Sequence, residues 1–270
     1  MAALERELGV KLTERAGRNV RPTPAGREYA RYAAHVLGLL DEGGAVAKQV
    51  AQGAQQQLRV GAVLTAGEHL LPILIQNFRE HRPELSLSLS VANRAQVFRS
   101  LAAHEVDLVV SGRAPEESDF EAVAFADNDF QLVTAPGDPL AKRRAVDPQE
   151  LAARPWLLRE PGSGTRRVVE EYLVANQLEP PLLTLGSNGA ITNAARVGLG
   201  IALQSRVAVQ LELDYGLLET ISPRGGLPAR SWFAVWSSAG PIREPVEDFI
   251  AYVQSDAAAR ALSAERSPSR

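Results

Sequence analysis

LSLSLSVANRAQVFRSLAAHEVDLVV, residues 85–110, changes its hydrophobic period twice. Leu85 to Val91 alternates apolar and polar residues strictly, the period of a half-buried strand. Val97, Phe98 and Leu101 then recur at helical spacing, and VDLVV (residues 106–110) is a short apolar run of the kind buried inside parallel sheets. Strand, helix, strand is the repeat of a doubly wound α/β sheet.

LRVGAV (residues 58–63) reads as a preceding strand, and Leu70 to Arg79 has apolar residues at helical spacing. A second set follows: WLL from Trp156, a helix after GSGT, LLTLG, a helix from Ser187, GIAL, a helix from Ser205, and LLETI. SWFAVWS (residues 231–237) and a terminal helix close the chain. The pattern predicts two α/β lobes, residues 57–135 plus 232–262 and residues 136–231. They are joined near Thr134–Pro139 and near Leu227–Trp232, and two crossings let lobes hinge around a crevice.

A length of 270 residues leaves room for about two domains. With no cysteine there is no disulfide, thiolate nucleophile or cysteine metal site. Apolar runs such as LLPILI are far shorter than the ~20 residues of a membrane span. The N-terminus has charges where a signal peptide needs an apolar core, so a cytoplasmic protein is expected. The four histidines (His35, His69, His81, His104) are scattered, without H-E-x-x-H spacing. Gly162-Ser163-Gly164 lacks the outer frame of G-x-S-x-G, and Arg167 fills the last glycine slot of G-x-G-x-x-G. No metal, cofactor or catalytic residue is expected, and a binding role outranks an enzyme.

Charge is unevenly spread. Residues 1–31 hold seven basic and four acidic side chains while the whole chain carries −3, so a basic head precedes an acidic body. Leu4 to Gly9 reads as a helix end closed by glycine at C′. KLTER and RNVRPT bracket Ala16-Gly17 as a hairpin carrying Arg15, Arg18 and Arg21. Thr23-Pro24 is a helix start, and the helical pattern runs to about Gln52, roughly 43 Å. Tyr29, Tyr32, Val36, Leu39, Gly43, Val46 and Val50 make a narrow stripe along it, the pattern of a helix paired with its own copy.

REPGSGTRR, residues 159–167, opens a helix with two glycines, two hydroxyls and a pair of arginines at its end. Glycines let the backbone approach a ligand, N–H groups at a helix start point at it, and the helix dipole favours negative charge. Arg166 adds a fork suited to carboxylate or phosphate. The bland alternative makes Ser163 a cap and leaves the arginines in water. Ser187-Asn188 opens the next helix of this lobe, and in the first lobe Thr65, Asn93-Arg94 and Ser111-Gly112-Arg113 follow the carboxyl ends of strands. Such ends converge on the crevice.

ALERELGVKLTERAGRNVRPTPAG (residues 3–26) resembles the end of the DNA-binding domain of LysR-type transcriptional regulators: recognition-helix tail, basic wing, and a T-P-A-G opening the dimerising linker helix. GAVLTAGEHLLP, FREHRPELSLSL, EVDLVVSG, REPGSGTRR and GLGIAL resemble the effector domain, so the likeness covers essentially the whole chain. VANRAQVF, the SGRAPE loop, REPGSGTR and GSNGAI are most similar to the branch controlling carbon-dioxide-fixation operons. The resemblance implies a partial winged helix-turn-helix (residues 1–22), a linker helix (residues 23–53) and a two-lobed, periplasmic-binding-protein-like effector domain. It implies that Arg15, Arg18, Arg21 and Thr23 touch DNA phosphates. It also implies that Thr65, Asn93, Arg94, Arg113, Ser163, Thr165, Arg166, Ser187 and Asn188 line a cleft for a small anionic effector, in a homodimer or homotetramer. Thr13 departs from a wing-packing aromatic and Pro22 from a leucine. The chain starts inside what corresponds to the recognition helix, so sequence-specific DNA reading by these residues is expected to be incomplete. The alternatives are a solute-binding or decoy subunit that oligomerises without reading DNA, and a small anion-handling enzyme.

Overall fold

A computed structural model describes residues 1–17, 19–52, 56–115 and 119–264. Helix α1 (Ala2–Leu8) ends at Gly9, whose φ of 68° is the left-handed cap expected there. Strands β1 (Thr13–Ala16) and β2 (Asn19–Pro22) pair antiparallel as the hairpin; Arg18 lies outside the described residues. Glu5 ties helix to hairpin: its Oε1 accepts from Leu12 N (2.8 Å), Thr13 N (2.9 Å) and Thr13 Oγ1 (3.1 Å), and its Oε2 from Lys11 Nζ (3.1 Å). Thr13 therefore joins the wing to α1 by polar contacts, where the family pattern has an aromatic ring.

Helix α2 (Pro24–Gln52) starts as its sequence predicts, with Thr23 Oγ1 accepting from Gly26 N at 2.9 Å. Gly26 is required here, because a Cβ would sit 1.8 Å from the Leu12 carbonyl oxygen. The stripe of α2 divides between two fates. Tyr29, Tyr32 and Val36 stay exposed beside Leu37 and Leu40, but Leu39 and Val46 are half-buried. Leu39 packs on the chain's own first lobe, where a Cβ at Gly240 would meet its Cδ1 at 2.8 Å. The side chain of Val50 lies outside the described set. The seat is also polar. His35 Nδ1 bonds the Ala102 carbonyl at 3.0 Å, and Glu42 accepts from His104 Nδ1 at 2.8 Å and forms an ion pair with Arg243, whose Nε lies 3.0 Å away.

The first lobe begins with β3 (Gln57–Val63), a π turn over Ala66–Leu70, α3 (Leu71–His81), β4 (Ser86–Ala92), α4 (Arg94–Ala102), β5 (Leu108–Ser111) and β6 (Phe120–Asp127). The second contains β7 (Phe130–Thr134), α5 (Pro148–Leu151), β8 (Trp156–Leu158), α6 (Gly164–Ala175), β9 (Leu182–Thr184), α7 (Asn188–Arg196), β10 (Ala202–Ser205), α8 (Gln210–Asp214) and β11 (Glu219–Ile221). Strand β12 (Ser231–Ser237), α9 (Glu244–Val253) and α10 (Asp256–Ala264) return to the first.

The first sheet has the order β4-β3-β5-β12-β6, with β3 parallel to β4 and β5, and β12 antiparallel to β5 and β6. LSLSLSV alternates because β4 is an edge strand with one covered face: Leu87 and Leu89 are half-buried, and Ser86 and Ser88 are exposed. Strand β5 is buried throughout, as its unbroken apolar run requires. In the second lobe β8 pairs parallel with β9 and bridges to Ile201, while β7 lies antiparallel between β10 and β11. Each lobe thus takes one antiparallel strand from the crossings. The helix expected from Ser205 is a 3-10 turn (Arg206–Ala208) followed by the short α8.

One boundary differs from expectation. The first crossing lies at Asn128–Asp129 rather than Thr134–Pro139, since Phe130 and Leu132 of β7 pack in the second lobe's core. Residues 130–135 therefore belong to the second lobe. Asn128 N donates to the Arg230 carbonyl at 2.9 Å, fastening the two crossings together. No helix among the described residues is long and apolar enough to cross a membrane.

Candidate functional site

The two lobes enclose a cavity of about 710 Å³, walled by strand ends and helix starts from both sides. Thr65, Asn93, Arg94 and Arg113 reach it from the first lobe; Ser163, Thr165 and Arg166 reach it from the second. Asn93 caps α4 by accepting from Gln96 N at 3.0 Å, which places Arg94 on the first turn. The Arg94 guanidinium donates to Ser111 Oγ (2.7 Å) and to the carbonyls of Arg113 (3.2 Å) and Ala114 (3.3 Å), with Phe98 beneath it at 4.3 Å. It therefore positions the loop after β5 as well as charging the wall.

On the opposite wall, Gly162 turns the chain at φ 88°, a left-handed angle at which a side chain is strained. Gly164 has open space around it. Ser163 occupies the N-cap position of α6 with no side-chain capping bond, which leaves the bland reading of its hydroxyl without its contact. Arg166 is more tied than its sequence setting suggests. It pairs with Glu170 at 2.7 Å and donates to the Arg159 carbonyl (3.1 Å) and Thr184 Oγ1 (3.2 Å).

Ser187 and Asn188 are not in the cavity wall. Ser187 caps α7, accepting from Ala190 N at 3.2 Å. Asn188, 2% exposed, spans the lobes: its Nδ2 donates to Thr65 Oγ1 at 3.1 Å and Glu68 Oε2 at 3.4 Å. Its Oδ1 accepts from Arg159 Nη1 at 2.6 Å. Arg159 is not singled out by sequence, although it heads REPGSGTRR. It is 3% exposed, lines the cavity, and forms a two-pronged pair with Glu160 at 2.7 and 2.9 Å. A cation straight after a buried three-residue strand is the signal that could have found it. Asn128, Phe130 and Trp232, also in the wall, come from the crossings, where sequence pattern is silent, and Ser205 comes from the end of β10. Ser205 Oγ donates to Asn128 Oδ1 at 2.6 Å there. On the π turn, burial pushes the His69 imidazole below its ordinary pKa.

In the wing Arg15 is exposed, and Arg21 is exposed while pairing with Glu14 at 2.7 Å. The Thr23 hydroxyl is engaged twice, as the cap of α2 and as a donor to the Lys11 carbonyl at 2.8 Å. A concave pocket with convergent cations and helix starts can hold a small anion.

Comparison with known proteins agrees with this architecture. Residues 51–258 match the LysR substrate binding domain. The chain is 32% identical over 256 residues to a RuBisCO operon transcriptional regulator of Allochromatium vinosum, covering 94% of this chain and 84% of that protein. It is 34% identical over 238 residues to the regulator CbbR of Xanthobacter flavus, covering 87% and 71%. Among solved structures, the regulatory domain of CcmR from Synechocystis PCC6803, in complex with 2-PG, superposes with a TM-score of 0.70 at 27% identity. That match covers 74% of this chain and 96% of that one. A full-length OxyR variant from Pseudomonas aeruginosa shares the fold at a TM-score of 0.69, with 24% identity, covering 94% of this chain and 86% of that one. These relatives are regulators, not enzymes, and the chain belongs to the LysR-type transcriptional regulators.

Proposed function

We propose that this regulator senses a small anionic metabolite, a phosphorylated acid or dicarboxylate, between its two lobes. The carrying observation is the cavity itself, which gathers Arg94 and Arg113 from one lobe and Arg159 and Arg166 from the other. A ligand touching both walls binds one hinge state better than another, and that difference is what shifts a two-state equilibrium. The 2-PG bound by the CcmR regulatory domain supports this ligand class. Thr65, Asn93, Ser163 and Thr165 supply neutral contacts in this reading, and Asn188 acts through Thr65 and Arg159 rather than on the ligand.

The exposed face of α2 pairs with a second copy, and Arg15 and Arg21 of the wing meet DNA phosphates, in the cytoplasm where operator DNA lies. Contacts to phosphate alone position a protein without reading sequence. A thermal-shift panel of 2-PG, other phosphorylated acids, dicarboxylates and neutral sugars tests the sensor reading. Anions raise Tm in a dose-dependent way and neutral sugars do not; a panel without effect, or with equal effects, contradicts it.

A further inference from the structure

Arg159 already holds an acid. Its Nε and Nη2 donate to the two carboxylate oxygens of Glu160 at 2.7 and 2.9 Å, while Nη1 donates to Asn188 Oδ1. The guanidinium is almost wholly buried, whereas the Glu160 side chain is one-third exposed, and both residues line the cavity. A buried guanidinium without an anion is strongly disfavoured, so Arg159 needs an acidic partner. The neighbouring residue provides one in the fork-to-fork geometry that a ligand carboxylate or phosphate would use.

We propose that Glu160 is a resident anion on Arg159, displaced when the acid group of the effector enters the cleft. This rests on the sensor reading above and names the group that grips the ligand. Glu160 follows Arg159 directly and precedes the Pro161-Gly162 turn, so it can swing into the open cavity without moving β8. Arg159 keeps its bond to Asn188 through the exchange, and Asn188 keeps its bond to Thr65 on the other lobe. The exchange selects planar or tetrahedral acids with two acceptor oxygens. Neutral or single-acceptor molecules cannot replace both of the carboxylate's bonds.

Self-competition lowers apparent affinity, so removing the resident charge raises it. Calorimetric titration of 2-PG, inorganic phosphate and sulfate into the parent protein and Glu160→Gln reads this directly. Glu160→Gln binds at least one of the three roughly ten-fold more tightly than the parent, the scale of one charge-assisted contact. The gain disappears when Arg159→Lys is added. Glu160→Asp, whose shorter arm cannot span both nitrogens, shows a smaller gain and serves if the glutamine variant folds poorly. Equal or weaker binding by the folded variants, or no binding of any probe to any of them, overturns the proposal. If the parent binds 2-PG, loses it on Arg94→Ala, and is unchanged by Glu160→Gln, displacement fails while the sensor reading stands.

Discussion

Asn188 on the second lobe donates to Thr65 on the first across 3.1 Å, although the residues lie 123 positions apart in sequence. Both are buried, and the same Asn188 side chain accepts from Arg159 in the cavity wall. Lobe closure and the charged wall therefore share one amide.

Asn188→Ala should leave Thr65 Oγ1 and Arg159 Nη1 without this partner at once. A buried group stripped of its hydrogen bond costs about 1–3 kcal/mol. Thr65→Val removes one end only and should cost less. Urea unfolding of the two variants checks the order, and Thr65→Val proving the more harmful would show that the bridge carries little.

The exposed and seated faces of α2 make different forecasts. Tyr32→Glu with Val36→Glu alters the face of α2 that stays exposed, so folding should survive while the mass seen by light scattering falls. Leu39→Glu places a charge against the first lobe instead, and should lower Tm. An unchanged mass for the double variant, or an unchanged Tm for Leu39→Glu, would remove the corresponding contact. Glu42 should matter on the seated side. Its hydrogen bond from His104 holds its carboxyl below the usual value, so that contribution is present near neutral pH and fades as pH drops through the carboxylate range.

The wing's polar joint titrates late. Backbone donation from Thr13, then the Lys11 ammonium and Leu12 N, pull the Glu5 pKa from 4.5 to about 2. A depressed folded value means the joint's stabilisation is complete above pH 4.5 and is lost between 4.5 and about 2. Amide exchange at Leu12 and Thr13 should thus stay slow at pH 4 in the parent and quicken in Glu5→Gln. Equal protection in both proteins would assign the joint to apolar packing around Leu12.

Much of this architecture is legible in the sequence because its signals are local. Gly9 and Thr23 announce helix ends through φ and capping chemistry, and the strand periods of residues 85–110 follow from burial on one face or two. Arg94 and Thr165 can be placed in the crevice because strand ends and helix starts converge there. What stays hidden depends on distant partners. No spacing rule links Asn188 to Thr65, or shows that Leu39 turns to its own lobe while Val36 does not. The crossing falls earlier than its sequence suggests because nothing local in Phe130 to Thr134 marks which lobe it joins; only its partners β10 and β11 decide. Arg159 heads REPGSGTRR without a spacing that marks it, and only its burial places it in the cavity wall.

Anion binding in the cleft by charge from both lobes is the proposal that a single titration series decides. Calorimetric titration of 2-PG into the parent, Arg94→Ala and Arg143→Ala tests it most directly, since Arg143 pairs with Glu150 on the surface away from the cavity wall. The expected outcome is binding to the parent, a roughly ten- to hundred-fold loss for Arg94→Ala, and no change for Arg143→Ala. Undiminished affinity in Arg94→Ala, or an equal loss in Arg143→Ala, would contradict it.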